Sequence, residues 1–86
     1  MYWIYILKNK KNDKLYIGST PNLKKRIKEH NDAKSKSTKA DLPWIIVYTE
    51  GYLSKQDALK REHNLKYFGK AYAKLKDRIK DSLRSV

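Results

Sequence analysis

The chain has 86 residues, no cysteine, and 21 Lys and Arg against nine Asp and Glu, for a formal charge of +12. The length bounds it to about one domain, residues 1–86, the missing cysteines exclude a disulfide framework or thiolate zinc site, and the charge points to a polyanionic partner, nucleic acid first. No run approaches the ~20 apolar residues that cross a bilayer, Tyr2 to Leu7 is too short for a signal-peptide core, and the apolar residues form short runs of differing period, so no membrane partner and a cytoplasmic location are expected.

Residues 2–7, Tyr-Trp-Ile-Tyr-Ile-Leu, are aromatic and β-branched with no polar gap, which predicts a strand covered on both faces. The polar run Lys8 to Lys14 then leads to Leu15-Tyr16-Ile17-Gly18, so a β-hairpin is the economical connection. With its turn centred on Lys10 and Lys11, Tyr5 and Tyr16 would lie directly opposite each other. A slip of one residue would put one of them on the other face.

Thr20-Pro21 reads as a helix opening, Thr20 as N-cap and Pro21 at the first helical position, with the helix running to about Asn31. Leu23 and Ile27 form its i, i+4 apolar pair, and Arg26 and His30 a second such pair bordering the buried face. From Asp32 to Pro43 the chain is polar, a loop of the length that signals function or disorder, and its Lys34, Lys36 and Lys39 suit phosphates. Trp44 to Tyr48 is a second fully apolar strand.

Ser54-Lys55-Gln56-Asp57 opens another helix in capping-box style. On a helical wheel Leu65, Ala58, Glu62 and Leu59 lie at about −20°, 0°, 40° and 100°, so Glu62 points with the apolar residues toward the core or its rim. Gly69 marks a break, and Tyr72, Leu75, Ile79 and Leu83 predict a terminal amphipathic helix. These elements run β-β-α-β-α-α and read as an α+β class, a small sheet covered on both faces with about three helices.

An ionised glutamate on an apolar helical face loses several kcal/mol of hydration unless partnered. Glu62 could be satisfied by a salt bridge to Arg26 or a tyrosine hydroxyl, or it could hold a hard divalent ion, since Mg²⁺ binds through one or two carboxylates plus waters and substrate phosphate. Arg26 and His30 have a plain reading as part of a solvated basic helix face, and Tyr5 and Tyr16 as core aromatics with hydroxyls at the sheet edge.

Trp3-Ile4-Tyr5, Tyr16-Ile17-Gly18, Arg26-x-x-x-His30 and Glu62 occur in an order and spacing that resembles the GIY-YIG endonuclease family. The likeness is greatest to short stand-alone bacterial members, in which segments like Gly18 to Asn31, Ser37 to Lys39, Pro43-Trp44 and Ala58 to Glu62 recur in sequence. The resemblance implies a small three-stranded antiparallel sheet flanked by about three helices, and hydrolysis of a DNA phosphodiester, in a structured or damaged substrate, with one divalent ion, Mg²⁺ or Mn²⁺, held by Glu62. It implies catalytic roles for Tyr5, Tyr16, Arg26, His30 and Glu62: the tyrosines bracket the attacking water, Arg26 offsets charge on the phosphate, and His30 carries the proton onward. Lys24, Lys25, Lys34, Lys36 and Lys39 would meet the DNA backbone. Trp3 stands where the family name has glycine and would narrow the cleft if its indole leaned inward. Ser19 stands where some branches carry a lysine. Target choice would come from substrate shape, a targeting partner protein, or not at all. The rival reading is a non-catalytic basic nucleic-acid-binding module on the same scaffold. A third, the least supported, is a docking unit whose basic terminal helix grips an acidic protein.

Overall fold

A computed structural model describes residues 1–32 and 44–85. Three strands, β1 (Tyr2–Asn9), β2 (Leu15–Thr20) and β3 (Trp44–Tyr52), form one antiparallel sheet in the order β2-β1-β3. Helix α1 (Leu23–Asn31) lies between β2 and β3 in sequence, and α2 (Lys55–Tyr67), α3 (Gly69–Arg78) and α4 (Lys80–Arg84) follow β3. The expected order holds, with the terminal amphipathic segment divided at Ile79, whose N–H bonds back to the carbonyls of Asp77 and Leu75 and closes α3.

Central β1 explains the unbroken apolar run at the N-terminus: helices cover both of its faces. Ile4 and Ile6 point to one side, into a core with Ile17, Ala58, Leu65, Leu75 and Ile79. Tyr5 and Leu7 point to the other, where Trp44, Leu23 and Ile27 pack with them. At about 25 cal/mol per Å², removing these side chains from water is the main term holding so small a domain together. In β3 the pairing shifts between Ile6 and Leu7, which face Tyr48 and Ile46. The intervening Val47 is the extra residue of a bulge, with Trp44 and Ile46 packing in one core and Val47 and Tyr48 in the other.

The hairpin register differs from the expected one. Tyr5 pairs with Gly18, and Tyr16 with Leu7, so the two tyrosines are diagonal neighbours. The turn is set by Asn9, whose Oδ1 accepts from the backbone N–H groups of Lys11 (2.8 Å) and Asn12 (3.3 Å), and by Asp13 in the left-handed region at φ 59°. An Asx-type turn of this kind carries the loop one residue further than a turn centred on Lys10-Lys11. The pairing therefore moves by two residues, parity is kept, and both rings stay on one face.

Helix α1 also begins later than Thr20-Pro21 suggests. Thr20 completes β2 opposite Trp3, and Asn22 is the N-cap, its side chain accepting from the N–H of Lys25 at 3.1 Å. Ser54 caps α2 as expected, accepting from Asp57 N at 3.3 Å. Leu59, expected on the apolar side of α2, is exposed, because at about 100° from Ala58 it has turned past the sheet. Lys34, Lys36 and Lys39, the Ser37 to Lys39 segment and Pro43 lie outside the described residues.

Candidate active site at the β2 edge

Alternation along β1 and β2 sends Tyr5, Tyr16 and Gly18 to the α1 side of the sheet and Ser19 to the α2 side. On the α1 side, Leu23 and Ile27 dock the helix and bring His30 down beside the tyrosines. His30 was expected at the border of the buried face; it is fully buried, because its ring completes the layer that Leu23 and Ile27 begin. Its Nε2 lies 2.9 Å from the Tyr5 hydroxyl. Its ring stands edge-on to Tyr16, with centroids 5.0 Å apart, and the two tyrosine rings are 6.3 Å apart. Arg26, one turn earlier, keeps 31% of its side chain exposed and pairs with Glu29 at 3.6 Å, and both phenols favour its charged form. Lys24 and Lys25 are exposed on the same helix.

Glu62 approaches from the other side. Its Oε1 accepts from Ser19 Oγ at 2.8 Å, and its Oε2 pairs with Lys66 Nζ at 3.0 Å, so neither Arg26 nor a tyrosine is the partner that sequence reasoning offered. With 18% of the side chain exposed, the carboxylate opens to solvent. Ser19 follows Gly18 on the edge strand β2, so Glu62 lies across that strand from the phenols, and its charge is felt at Tyr5.

Glu50 makes the contrast. Its carboxylate accepts from Tyr48 (2.7 Å), Tyr52 (2.6 Å) and the Arg61 guanidinium (3.0 Å), which holds it below the usual carboxylate range although burial alone would raise it. This saturated cluster ties β3 to α2 and leaves no capacity for a ligand.

Two residues carry more of the geometry than sequence reasoning assigned them. A Cβ on Gly18 would sit 2.4 Å from the Tyr5 hydroxyl and 2.5 Å from its ring carbon Cζ, so only glycine lets the phenol lie across β2 at this point. A glycine inside a strand is itself the signal for such a close approach. Lys66 holds Glu62 across one helical turn, a spacing readable in the sequence. Trp3 leans over Gly51 of β3, so its indole is turned away from the β2 edge and does not narrow the site.

Burial raises the Tyr5 phenol to about 12, with the Arg26 guanidinium opposing and the charges of Tyr16 and Glu62 adding to the rise. Burial also lowers His30 below its ordinary value of 6.5, reinforced by the Arg26 charge and opposed by Glu29. At neutral pH the pair is therefore a protonated phenol against a neutral imidazole, and in the tautomer with its proton on Nδ1 the imidazole accepts the Tyr5 proton. Because the unfolded chain binds a proton at His30 more readily than the folded one, this residue's contribution to stability is present above pH 6.5 and is lost as pH falls below it. An NMR titration of the His30 ring is expected to give a midpoint below 6.5, and denaturant melts to show stability declining in that same window. A midpoint above 6.5 would contradict the burial of a neutral ring.

Among the described residues no group of three or more His, Cys, Asp or Glu forms a cage for a metal ion. Glu62 alone fits a hard divalent cation of the kind that keeps several waters and takes a further oxygen from a phosphate. The carboxylate is solvent-accessible and already accommodates one cation, the Lys66 ammonium.

A sequence model of the GIY-YIG catalytic domain matches residues 1–76. The chain belongs to the GIY-YIG family. A UPF0213 protein of Staphylococcus haemolyticus is 41% identical over 70 residues, covering 80% of this chain and 84% of the relative. The structure-specific endonuclease subunit SLX1 of Candida dubliniensis is 42% identical over 74 residues, covering 77% of this chain but 26% of that protein. A UPF0213 protein of Bacillus halodurans, solved by solution NMR, aligns with 33% identity, 79% of this chain, 73% of that chain and a TM-score of 0.49. A GIY-YIG domain is a nuclease domain, and among the described residues no helix is long and apolar enough to cross a membrane.

Proposed function

We propose that residues 1–86 act as a single, divalent-metal-dependent DNA endonuclease domain that hydrolyses a phosphodiester bond in a structured or damaged substrate. The observation that carries this reading is the grouping of Tyr5, Tyr16 and His30, with Arg26 one helical turn before His30, along β2, where Ser19 holds the partly exposed Glu62. The structure-specific SLX1 relative supports a branched or nicked target, and its description as a subunit supports target choice through a partner protein. Cysteine-free composition supports a cytoplasmic setting.

Each side chain has a task. A water between the tyrosines gives its proton to the Tyr5 oxygen as Tyr5 passes its own to His30 Nε2, so the phenol relays a proton without standing as free phenolate. That route removes the obstacle of a phenol raised to about 12, since the net acceptor is the imidazole. The new O–P bond forms as the bond to the leaving oxygen breaks, and Arg26 stabilises charge gathering on the phosphoryl oxygens. A divalent ion bound at Glu62 would supply polarisation of the scissile phosphate and of the leaving oxygen. Ser19 orients the carboxylate, and Lys24 and Lys25 contact the backbone of the duplex to either side, joined by Lys34, Lys36 and Lys39.

Incubation of purified protein with nicked, flapped and single-stranded DNA, in Mg²⁺ or Mn²⁺ and then in chelator, tests this. Cleavage that requires the metal is expected. Salt-sensitive binding with every substrate left intact would favour the non-catalytic binding module instead.

A further inference from the structure

One turn beyond Glu62, a pocket of about 290 Å³ opens on the β2 edge, lined by Leu15, Tyr16, Ile17, Leu65, Lys66 and Tyr72. Two of these residues also belong to the active site, for Tyr16 stands beside His30 and Lys66 holds Glu62. A strand passing over the carboxylate therefore continues along Lys66 into the pocket. Leu15, Ile17 and Leu65 make an apolar floor, Tyr72 supplies aromatic surface, and the Lys66 ammonium supplies positive charge. Lys76, with its Nζ 4.5 Å from the centre of the Tyr72 ring, brings a second cation alongside. Aromatic surface for a base and ammonium groups for its phosphate are the two elements of single-strand recognition. The spacing agrees. From Ser19 to Ile17 is two strand residues, about 7 Å, the scale of one nucleotide step.

We propose that this pocket seats the nucleotide adjoining the scissile phosphate, with Tyr72 packing on its base and Lys66 meeting its phosphate, and that this nucleotide must be unpaired. The inference rests on the nuclease reading and adds the substrate class to it. A base stacked inside an intact duplex cannot enter a pocket on a strand edge, whereas one at a flap, nick or single-stranded junction is already free of its neighbours or can be released at small cost. A preference for structured DNA then follows from Tyr72 and the pocket themselves.

The test uses a flap substrate in which 2-aminopurine is walked along the unpaired strand. In chelator, wild-type protein is expected to change the probe's fluorescence at one position next to the mapped cut. Tyr72→Leu, which keeps apolar volume but removes the aromatic face, should weaken binding of that oligonucleotide about tenfold, a size typical of one stacked base. With metal, the same variant should raise KM about tenfold and leave kcat within twofold. An abasic residue at the reporting position should reproduce the loss in wild-type protein, which keeps the result independent of how well the variant folds. No fluorescence change at any position, together with unchanged binding of the abasic strand, would overturn the pocket assignment even if cleavage is robust. A clear fluorescence change without cleavage in any metal would support the pocket as a nucleotide site while sinking the nuclease reading.

Discussion

Replacing Glu62 with alanine is expected to reduce single-turnover DNA cleavage by about 10³-fold or more, the scale of losing several kcal/mol of metal-centred stabilisation. DNA binding in chelator should be held or slightly raised, because the substitution frees the Lys66 ammonium, 3.0 Å from the carboxylate, to face the phosphates. Stability should change little. The carboxylate's partners are one hydroxyl and one ammonium that is 40% exposed, and a hydrogen bond of the first kind contributes about 0.5–1.5 kcal/mol net while an exposed pair contributes less. Glu62→Gln separates charge from shape: its amide oxygen can still accept from Ser19, yet without the negative charge it holds a divalent ion far more weakly, so most of the rate should be lost there too. Anisotropy for binding, quenched-flow cleavage for rate and thermal melts for folding measure the three quantities independently. Retention of more than a tenth of the wild-type rate at saturating Mg²⁺ or Mn²⁺ would remove Glu62 from the metal role. Glu50 could not substitute for it, since Tyr48, Tyr52 and Arg61 already saturate that carboxylate.

How much of this was legible beforehand depends on the kind of information each feature uses. The central strand was readable because six consecutive apolar residues need cover on both faces, and the sheet provides it. The shared face of Tyr5 and Tyr16 was readable because it depends only on parity; their exact pairing was not, because it depends on the side chain of Asn9 reaching back to the turn. Glu62 was placed correctly at the rim of the core by helical periodicity, but its partners were not, since Ser19 lies 43 residues away and is brought near by the packing of α2 on β2. His30 shows the same limit from the other side. An i, i+4 pattern sets which way a residue points but not how deep the helix sinks, and depth is decided by how Leu23 and Ile27 fit against the sheet. The terminal helix read as one amphipathic stripe because Tyr72, Leu75, Ile79 and Leu83 keep their spacing through the break at Ile79.

Gly18→Ala is expected to damage both folding and catalysis. The new Cβ would lie 2.4 Å from the Tyr5 hydroxyl and 2.5 Å from Cζ, inside any real contact distance, so either the phenol or the strand must move. The Tyr5 side chain has no room to yield, being 1% exposed and fixed at its far end to His30. Overpacking of this kind typically costs about 1–3 kcal/mol, a large share of the stability of a domain this small. The catalytic loss should exceed the loss of stability. Breaking the 2.9 Å Tyr5–His30 contact removes the proton relay, and general acid–base contributions of that sort are worth about 10²- to 10⁴-fold. A double-mutant comparison separates the two effects. Tyr5→Phe deletes the hydroxyl but leaves Cζ in place, so Gly18→Ala should still destabilise in that background; Tyr5→Leu removes the obstructing ring end, so there the added methyl should cost little. Cleavage should stay low in all of these variants, because none of them restores the hydroxyl to His30. Melting curves and single-turnover rates across the set provide the measurement. A Gly18→Ala protein that keeps wild-type activity would show that the phenol need not lie across β2 for the reaction to proceed.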